Sequence, residues 1–329
     1  MDIITQVTLG TCIGEAFFRK KLGKRALFFG AFCGLFPDLD ILLHSMSSFE
    51  GLQSHRGLSH SVLFLPIVAP ILGGIMVRLF RSEGSYRTWT HLAFWALITH
   101  PLLDVCTTYG TQLLYPISTT RFSTNGIAII DLFYTLPLLI VAILSLRMEV
   151  PKLARSALFV SSAYLGLSHF ISFSAIQYLQ SRFVQYGFEK ENIHVSPVLL
   201  FSPLRRVVAK DDQGNFITAM YSPFAKRPPS VHRAKSVSNA QVDTLLTSKD
   251  GATFLWFANH FVLVERQQSA YLFIDTRYGS FSKPWFSPFI AQASINADGS
   301  LGQLKLARRG REINIVDELK LGWKNIFLQ

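Results

Sequence analysis

Apolar residues along the chain fall in long runs rather than in narrow stripes. Five segments, near 26–43, 61–80, 89–108, 127–146 and 156–178, approach the roughly 20 apolar residues that carry a helix across a bilayer. A sixth, 3–18, is interrupted by Gln6 and Glu15 and suits a short first span or a helix lying in the interface. After residue 180 the pattern changes. The stretch 207–221 (VVAKDDQGNFITAMY) reads as two strands about a polar turn at Gly214, and 261–279 (FVLVERQQSAYLFIDTRYG) as another hairpin. Between them, 222–250 is rich in Pro, Ser and Lys and reads as a loop with a short helix. The pattern predicts an α-helical integral membrane bundle of five or six membrane helices over 1–180. A small β-rich extramembrane domain over 181–329 follows.

Composition fits that reading. Of 329 residues, 28 are Phe and only 16% are charged, too apolar for an ordinary soluble domain. The net charge of +11 raises nucleic acid as a partner, but the basic residues sit in clusters between apolar runs and no accompanying motif is present. The expected partners are therefore membrane lipids and a substrate, with no nucleic acid. Arg19, Lys20, Lys21, Lys24 and Arg25 form one cluster, Arg78, Arg81 and Arg87 a second, Arg147, Lys152 and Arg155 a third. Loops 44–60 and 109–126 carry only Arg56 and Arg121. The positive-inside rule then puts the clusters in the cytoplasm and these two loops, with the C-terminal domain, outside. No basic segment opens the chain as in a cleaved signal peptide. Cys12, Cys33 and Cys106 lie in apolar stretches with no CxxC pair and read as buried thiols.

Ionisable residues within apolar runs need a reason. Asp38 and Asp40, in Pro37-Asp38-Leu39-Asp40, repel each other unless a cation or proton intervenes, and Pro37 breaks the helix there. Hydrated acids at a membrane exit are the plain alternative. His55 and His60 flank Gly57, which frees the backbone, and Ser59, placed to cap a helix near His60. Imidazoles so spaced suit a metal, or are simply solvated. His100 and Asp104 are four apart and share a helical face, as ligands or as a hydrogen-bonded pair. Asp131 opens the run 127–146, and His44 is a spare candidate.

The combination carries more than its parts. Under the predicted topology Asp38, Asp40, His55, His60, His100, Asp104 and Asp131 reach one depth on one face. Three imidazoles and four carboxylates make the N/O ligand set of a divalent metal: zinc first, manganese or iron as alternatives. The first six residues would hold it. Asp131 would be a general base, a further ligand or an orienter. Arg56 would pair with an anionic substrate group. Thr107, Thr108, Tyr109 and Gln112 follow the third motif and line the site or anchor a helix end; His91, His169, His194, His232 and His260 lack a partner motif and read as structural.

These motifs, with Tyr109-Gly110-Thr111-Gln112 and Asp131-x-x-Tyr134, resemble the YdjM-like family of predicted membrane-bound metal-dependent hydrolases over roughly residues 1–180. Thr5-Gln6 departs from the Thr-His that many relatives carry near the N-terminus. The resemblance implies a bacterial or archaeal inner-membrane hydrolase. Its site would face outward, and its substrate would be a phosphoester or lipid-like molecule. A metal or proton transporter and a non-catalytic scaffold are the rival classes. A transport path should show polar groups at several depths, and the inner halves of the runs are nearly bare apart from His169.

Overall fold

The computed structural model describes residues 1–42, 47–80, 84–185, 187–224, 231–307 and 314–327, so His44 lies outside the described residues. Within it, four of the six apolar runs, 3–18, 26–43, 61–80 and 127–146, prove longer than the helices they form. The run 26–43 divides into α3 (Arg25–Leu35) and a 3-10 stretch, Phe36–Leu42, because Pro37 offers no amide to a continuing ladder. The other early helices are α1 (Ile3–Ile13), α2 (Arg19–Leu22), α4 (Phe49–Ser54) and α5 (Leu65–Leu79). They are followed by α6 (Tyr86–Val105), α7 (Leu132–Ser145) and α8 (Pro151–Gln185). A π-helical turn, Gly14–Phe18, joins α1 to α2.

These lengths overturn the expected five or six membrane helices. At about 1.5 Å per residue, the 11 residues of α1 and of α3, the 15 of α5 and the 14 of α7 fall short of a hydrocarbon core about 30 Å thick. α6 has 20 residues but carries Arg87, His91, His100 and Asp104. Among the described residues one helix, Pro151–Leu179, is long and apolar enough to cross a membrane. There are two if Phe49–His60 and Leu65–Leu79 are counted as one broken span.

The chain divides into two compact units, Met1–His44 with Ser54–His169, and Ser45–Gln53 with Phe170–Gln329. The divide falls inside α8 rather than at residue 180. In the helical unit Leu9, Phe29, Leu65, Trp89, Leu97 and Leu138 contribute to one core. α1 and α3 cross with their backbones nearly touching: a Cβ on Gly10 would lie 2.1 Å from the Gly30 oxygen, and one on Gly34 2.4 Å from the Gln6 oxygen. Small residues spaced by four, at 10 and 14 and at 30 and 34, permit this approach.

The second unit holds two antiparallel four-stranded sheets, each in sequence order. The first contains β1 (Ile193–Val198), β2 (Phe201–Lys210), β3 (Asn215–Tyr221) and β4 (Val231–Lys235). Helices α9 (Ala240–Thr247) and α10 (Lys249–Phe257) lead to the second: β5 (Val262–Arg266), β6 (Ala270–Asp275), β7 (Ile290–Ser294) and β8 (Lys305–Ala307). Helix α11 (Ile315–Phe327) closes the chain. Alternation along β2 explains how its sheet is covered on both sides. Val207 and Ala209 pack with Ala175, Leu179 and Phe183 of α8, while Val208 packs with Leu263, Ile274 and Ile290.

Candidate metal centre

The helices of the first unit alternate in direction, and one end collects the start of α1, the end of α3 and the end of α6. Asp38 sits in the 3-10 stretch after α3, His60 in a 3-10 turn (Leu58–His60), and His100 and Asp104 on successive turns of α6. All four are buried, and one ligand atom from each lies within 4.8 Å of the others. His60 Nε2 is 3.1 Å from His100 Nε2. Asp38 Oδ1 is 3.4 Å from both. Asp104 Oδ2 is 3.3 Å from His60 Nε2 and 3.6 Å from His100 Nε2.

The surrounding hydrogen bonds assign the protons. His100 Nδ1 is 2.6 Å from the Gly34 carbonyl, which can only accept, so Nδ1 carries the hydrogen and Nε2 of the neutral ring presents a lone pair. The Ser59 hydroxyl donates to Asp40 Oδ2 at 2.8 Å and lies 2.9 Å from His60 Nδ1. With its single proton committed, it accepts from Nδ1–H, so that in the neutral ring His60 Nε2 also presents a lone pair. Two lone pairs and two carboxylate oxygens thus converge, and the buried Asp104 Oδ2 makes no hydrogen bond. Such a set is self-repelling until a cation or proton joins it. It fits a divalent metal, since tetrahedral bonds of about 2.0–2.2 Å place ligand atoms roughly 3.3–3.6 Å apart.

Asp40 and His55 stand beside this group. A 3-10 chain has about three residues per turn, so side chains two apart diverge: Asp38 meets His60 at Nε2, whereas Asp40 Oδ2 lies 3.7 Å from Nδ1 on the ring's other side. His55 Nδ1 meets Asp40 Oδ1 at 2.9 Å, and the Arg56 amide donates to Asp40 Oδ2 at 3.1 Å. Burial works against the Asp40 charge, but the hydrogen bond and charge of His55 and the Ser59 hydroxyl outweigh it, holding the carboxyl below the usual range. Asp40 therefore orients His60 through Ser59. Ser59 itself is no helix cap: α5 begins at Leu65, and its N-cap residue, Phe64, makes no side-chain bond.

Arg56 rather than Gly57 takes the left-handed backbone, with φ 62° against −91°. Its Nε lies 3.1 Å from Asp104 Oδ2, Nη1 donates to Thr107 Oγ1 at 3.2 Å, and the guanidinium stacks 4.6 Å from the Tyr109 ring centre. Asp131 lies outside the group of four: Oδ1 caps α7 at the Tyr134 amide (2.9 Å) and Oδ2 accepts from the Tyr164 hydroxyl (3.0 Å). Sequence reasoning missed Gln6, whose Nε2 donates to Asp104 Oδ1 at 3.1 Å and to the His100 carbonyl at 3.2 Å. Its signal was a polar residue inside an apolar run. The Met1 backbone nitrogen also lies against Asp104.

A helical unit with a buried Asp/His cluster at one end defines the class, and the comparisons place it. The model of the YdjM inner membrane protein family matches residues 1–175, and the chain belongs to that family. A curated relative, the uncharacterized protein YfhP of Bacillus subtilis (strain 168), is 31% identical over 88 residues. That stretch covers 25% of this chain and 25% of that relative's length. No solved structure matches.

Proposed function

We propose that this inner-membrane protein is a metal-dependent hydrolase whose divalent metal, zinc first and manganese or iron as alternatives, is held by Asp38, His60, His100 and Asp104. The observation that carries the reading is the convergence of these four buried ligand atoms within 4.8 Å. Such a metal supplies Lewis-acid polarisation of an ester and acidifies water. Asp38 and Asp104 balance its charge. The Gly34 carbonyl and Ser59 fix the rings that present Nε2. Arg56 steadies Asp104 and can receive an anionic group, which favours a phosphoester.

An apolar groove of about 790 Å³, lined by Leu9, Ile13, Trp95, Leu102 and Leu103, supports a lipid-like substrate, since Leu103 adjoins Asp104 in α6. Orientation follows from charge. The end opposite the cluster gathers basic residues: Arg19 lies 3.5 Å from Glu149, Arg25 stacks 4.4 Å from the Phe80 ring centre, and Arg155 donates to the Ala16 carbonyl at 3.0 Å. A cytoplasmic position for that end leaves the cluster outward-facing. α8 starts there, so the chain after it would emerge outside.

The test is elemental analysis of the full chain purified in mild detergent. Stoichiometric transition metal is expected, with loss in His60→Ala and Asp104→Ala proteins that stay folded. A folded wild-type protein free of such metal would sink the metal centre. Phosphoester hydrolysis unchanged in Asp104→Ala would sink the catalytic role.

A further inference from the structure

The β-rich unit buries a guanidinium with two donor groups unused among the described residues. In the antiparallel pairing of β1 with β2, Ser196 faces Arg206 and His194 faces Val208, so His194 and Arg206 lie on one face of the sheet. That is the face on which Val208 packs against the second sheet. Arg206 is 2% exposed and His194 9%. Arg206 Nε donates to the Thr276 carbonyl at 3.1 Å. Its Nη1 and Nη2, and His194 Nε2, have no hydrogen-bond partner. Asp275, the carboxylate that acts on Arg206, is already bidentate to Arg277, at 2.9 Å to Nε and 2.7 Å to Nη2. Gly279 lets the backbone press against the guanidinium, since a Cβ there would lie 2.3 Å from Nη1. The Trp285 ring centre lies 5.8 Å from the guanidinium carbon.

A buried guanidinium whose paired donors go unused is costly, and such groups are normally met by an acceptor. Burial lowers Arg206 to about 9, so it remains a cation at neutral pH, and burial beside Arg277 and Arg206 pushes His194 down to about 3. A neutral His194 can still donate from Nε2. The arrangement offers a planar fork and one further donor, and among the described residues no second carboxylate satisfies them. An oxyanion presenting two oxygens in one plane matches a guanidinium fork.

We propose that Arg206 and His194 form a buried site for a small oxyanion, a phosphate or carboxylate group, between the two sheets. The test uses the full chain in detergent after chelator treatment, so that the metal centre contributes nothing. Thermal unfolding is followed while inorganic phosphate, acetate or chloride is added at equal ionic strength. Phosphate or acetate should raise the midpoint saturably and chloride should not; the two arms decide which oxyanion is preferred. Arg206→Gln should weaken the response about tenfold or more, since one partner of a buried charged contact is lost. His194→Gln should weaken it less, and it decides the matter if Arg206→Gln fails to fold. No selective response in the wild-type protein, or an undiminished one in the folded variants, overturns the site.

Discussion

At the end of the helical unit, two imidazole nitrogens and two carboxylate oxygens face one another, with the Arg56 guanidinium, 3.1 Å from Asp104 Oδ2, beside them. Between the sheets of the second unit, a guanidinium fork and an imidazole nitrogen have no acceptor among the described residues. The two clusters obey one rule with opposite signs. A buried set of acceptors is incomplete without a cation, and a buried set of donors is incomplete without an anion. They differ in construction. The acceptor set is built from helix ends and tight turns, where separate segments converge and the Gly34 carbonyl and Ser59 lock the rings. The donor set comes from the interiors of adjacent strands, brought to one face by register, with the Thr276 carbonyl holding the guanidinium.

The heaviest blow to one side of this comparison should come from Gly30→Leu. Its Cβ would lie 2.2 Å from the Gly10 oxygen, so α1 and α3 must separate, and with them the Gly34 carbonyl that orients His100. Overpacking of this severity should cost about 3 kcal/mol or more, on top of the stabilisation lost with the metal that it releases. Thermal unfolding and metal content measured together check it; a near-native midpoint would mean that the helices do not cross as described.

Removing the metal should come next in size. A ligand present at 1,000 times its Kd stabilises the folded state by about 4 kcal/mol, so chelation should lower the unfolding midpoint of the wild-type protein. It should do so far less in Asp104→Ala. Equal sensitivity of the two proteins would detach the metal from this cluster.

A finer probe is Ser59→Ala. It deletes the hydroxyl that joins Asp40 to His60 Nδ1 while leaving all four ligand side chains in place. Metal affinity should fall about 10–100-fold, the usual effect of losing an orienting hydrogen bond behind a ligand, and Ser59→Thr should recover most of it. Unchanged affinity in a competition titration would show that the ring of His60 is held by other contacts.

The two clusters were not equally legible. Asp38, His60, His100 and Asp104 stand out in the sequence because acids and imidazoles inside apolar runs are expensive, and their spacing on helix turns groups them. The division of labour was not legible. Whether Asp40 or Asp38 turns into the group depends on the rotation at which the 3-10 stretch leaves α3, which the spacing of the two acids does not reveal. Gln6 reaches Asp104 only because Gly10, Gly30 and Gly34 let α1 lie against α3, a long-range packing fact. Run length misled the span count for a related reason: hydropathy does not mark where Pro37 ends α3. In the β unit, Arg206 and His194 look like ordinary solvent-facing positions until the second sheet covers them.

The smallest expected effect tests Asp131, which lies outside the group of four. Asp131 uses both oxygens, one on the Tyr134 amide at the start of α7 and one on the Tyr164 hydroxyl. Asp131→Ala should therefore cost about 1 kcal/mol, the usual loss for an N-cap, with metal content unchanged. Asp131→Asn separates the remaining roles. Asparagine caps a helix about as well as aspartate and can still accept from a tyrosine hydroxyl, so stability should be near wild type. It cannot act as a general base. If hydrolysis is retained in Asp131→Asn, the residue only positions α7 against α8. If hydrolysis collapses while metal and stability are intact, Asp131 takes part in proton transfer despite its two hydrogen bonds, and the chemistry extends beyond the four converging ligands.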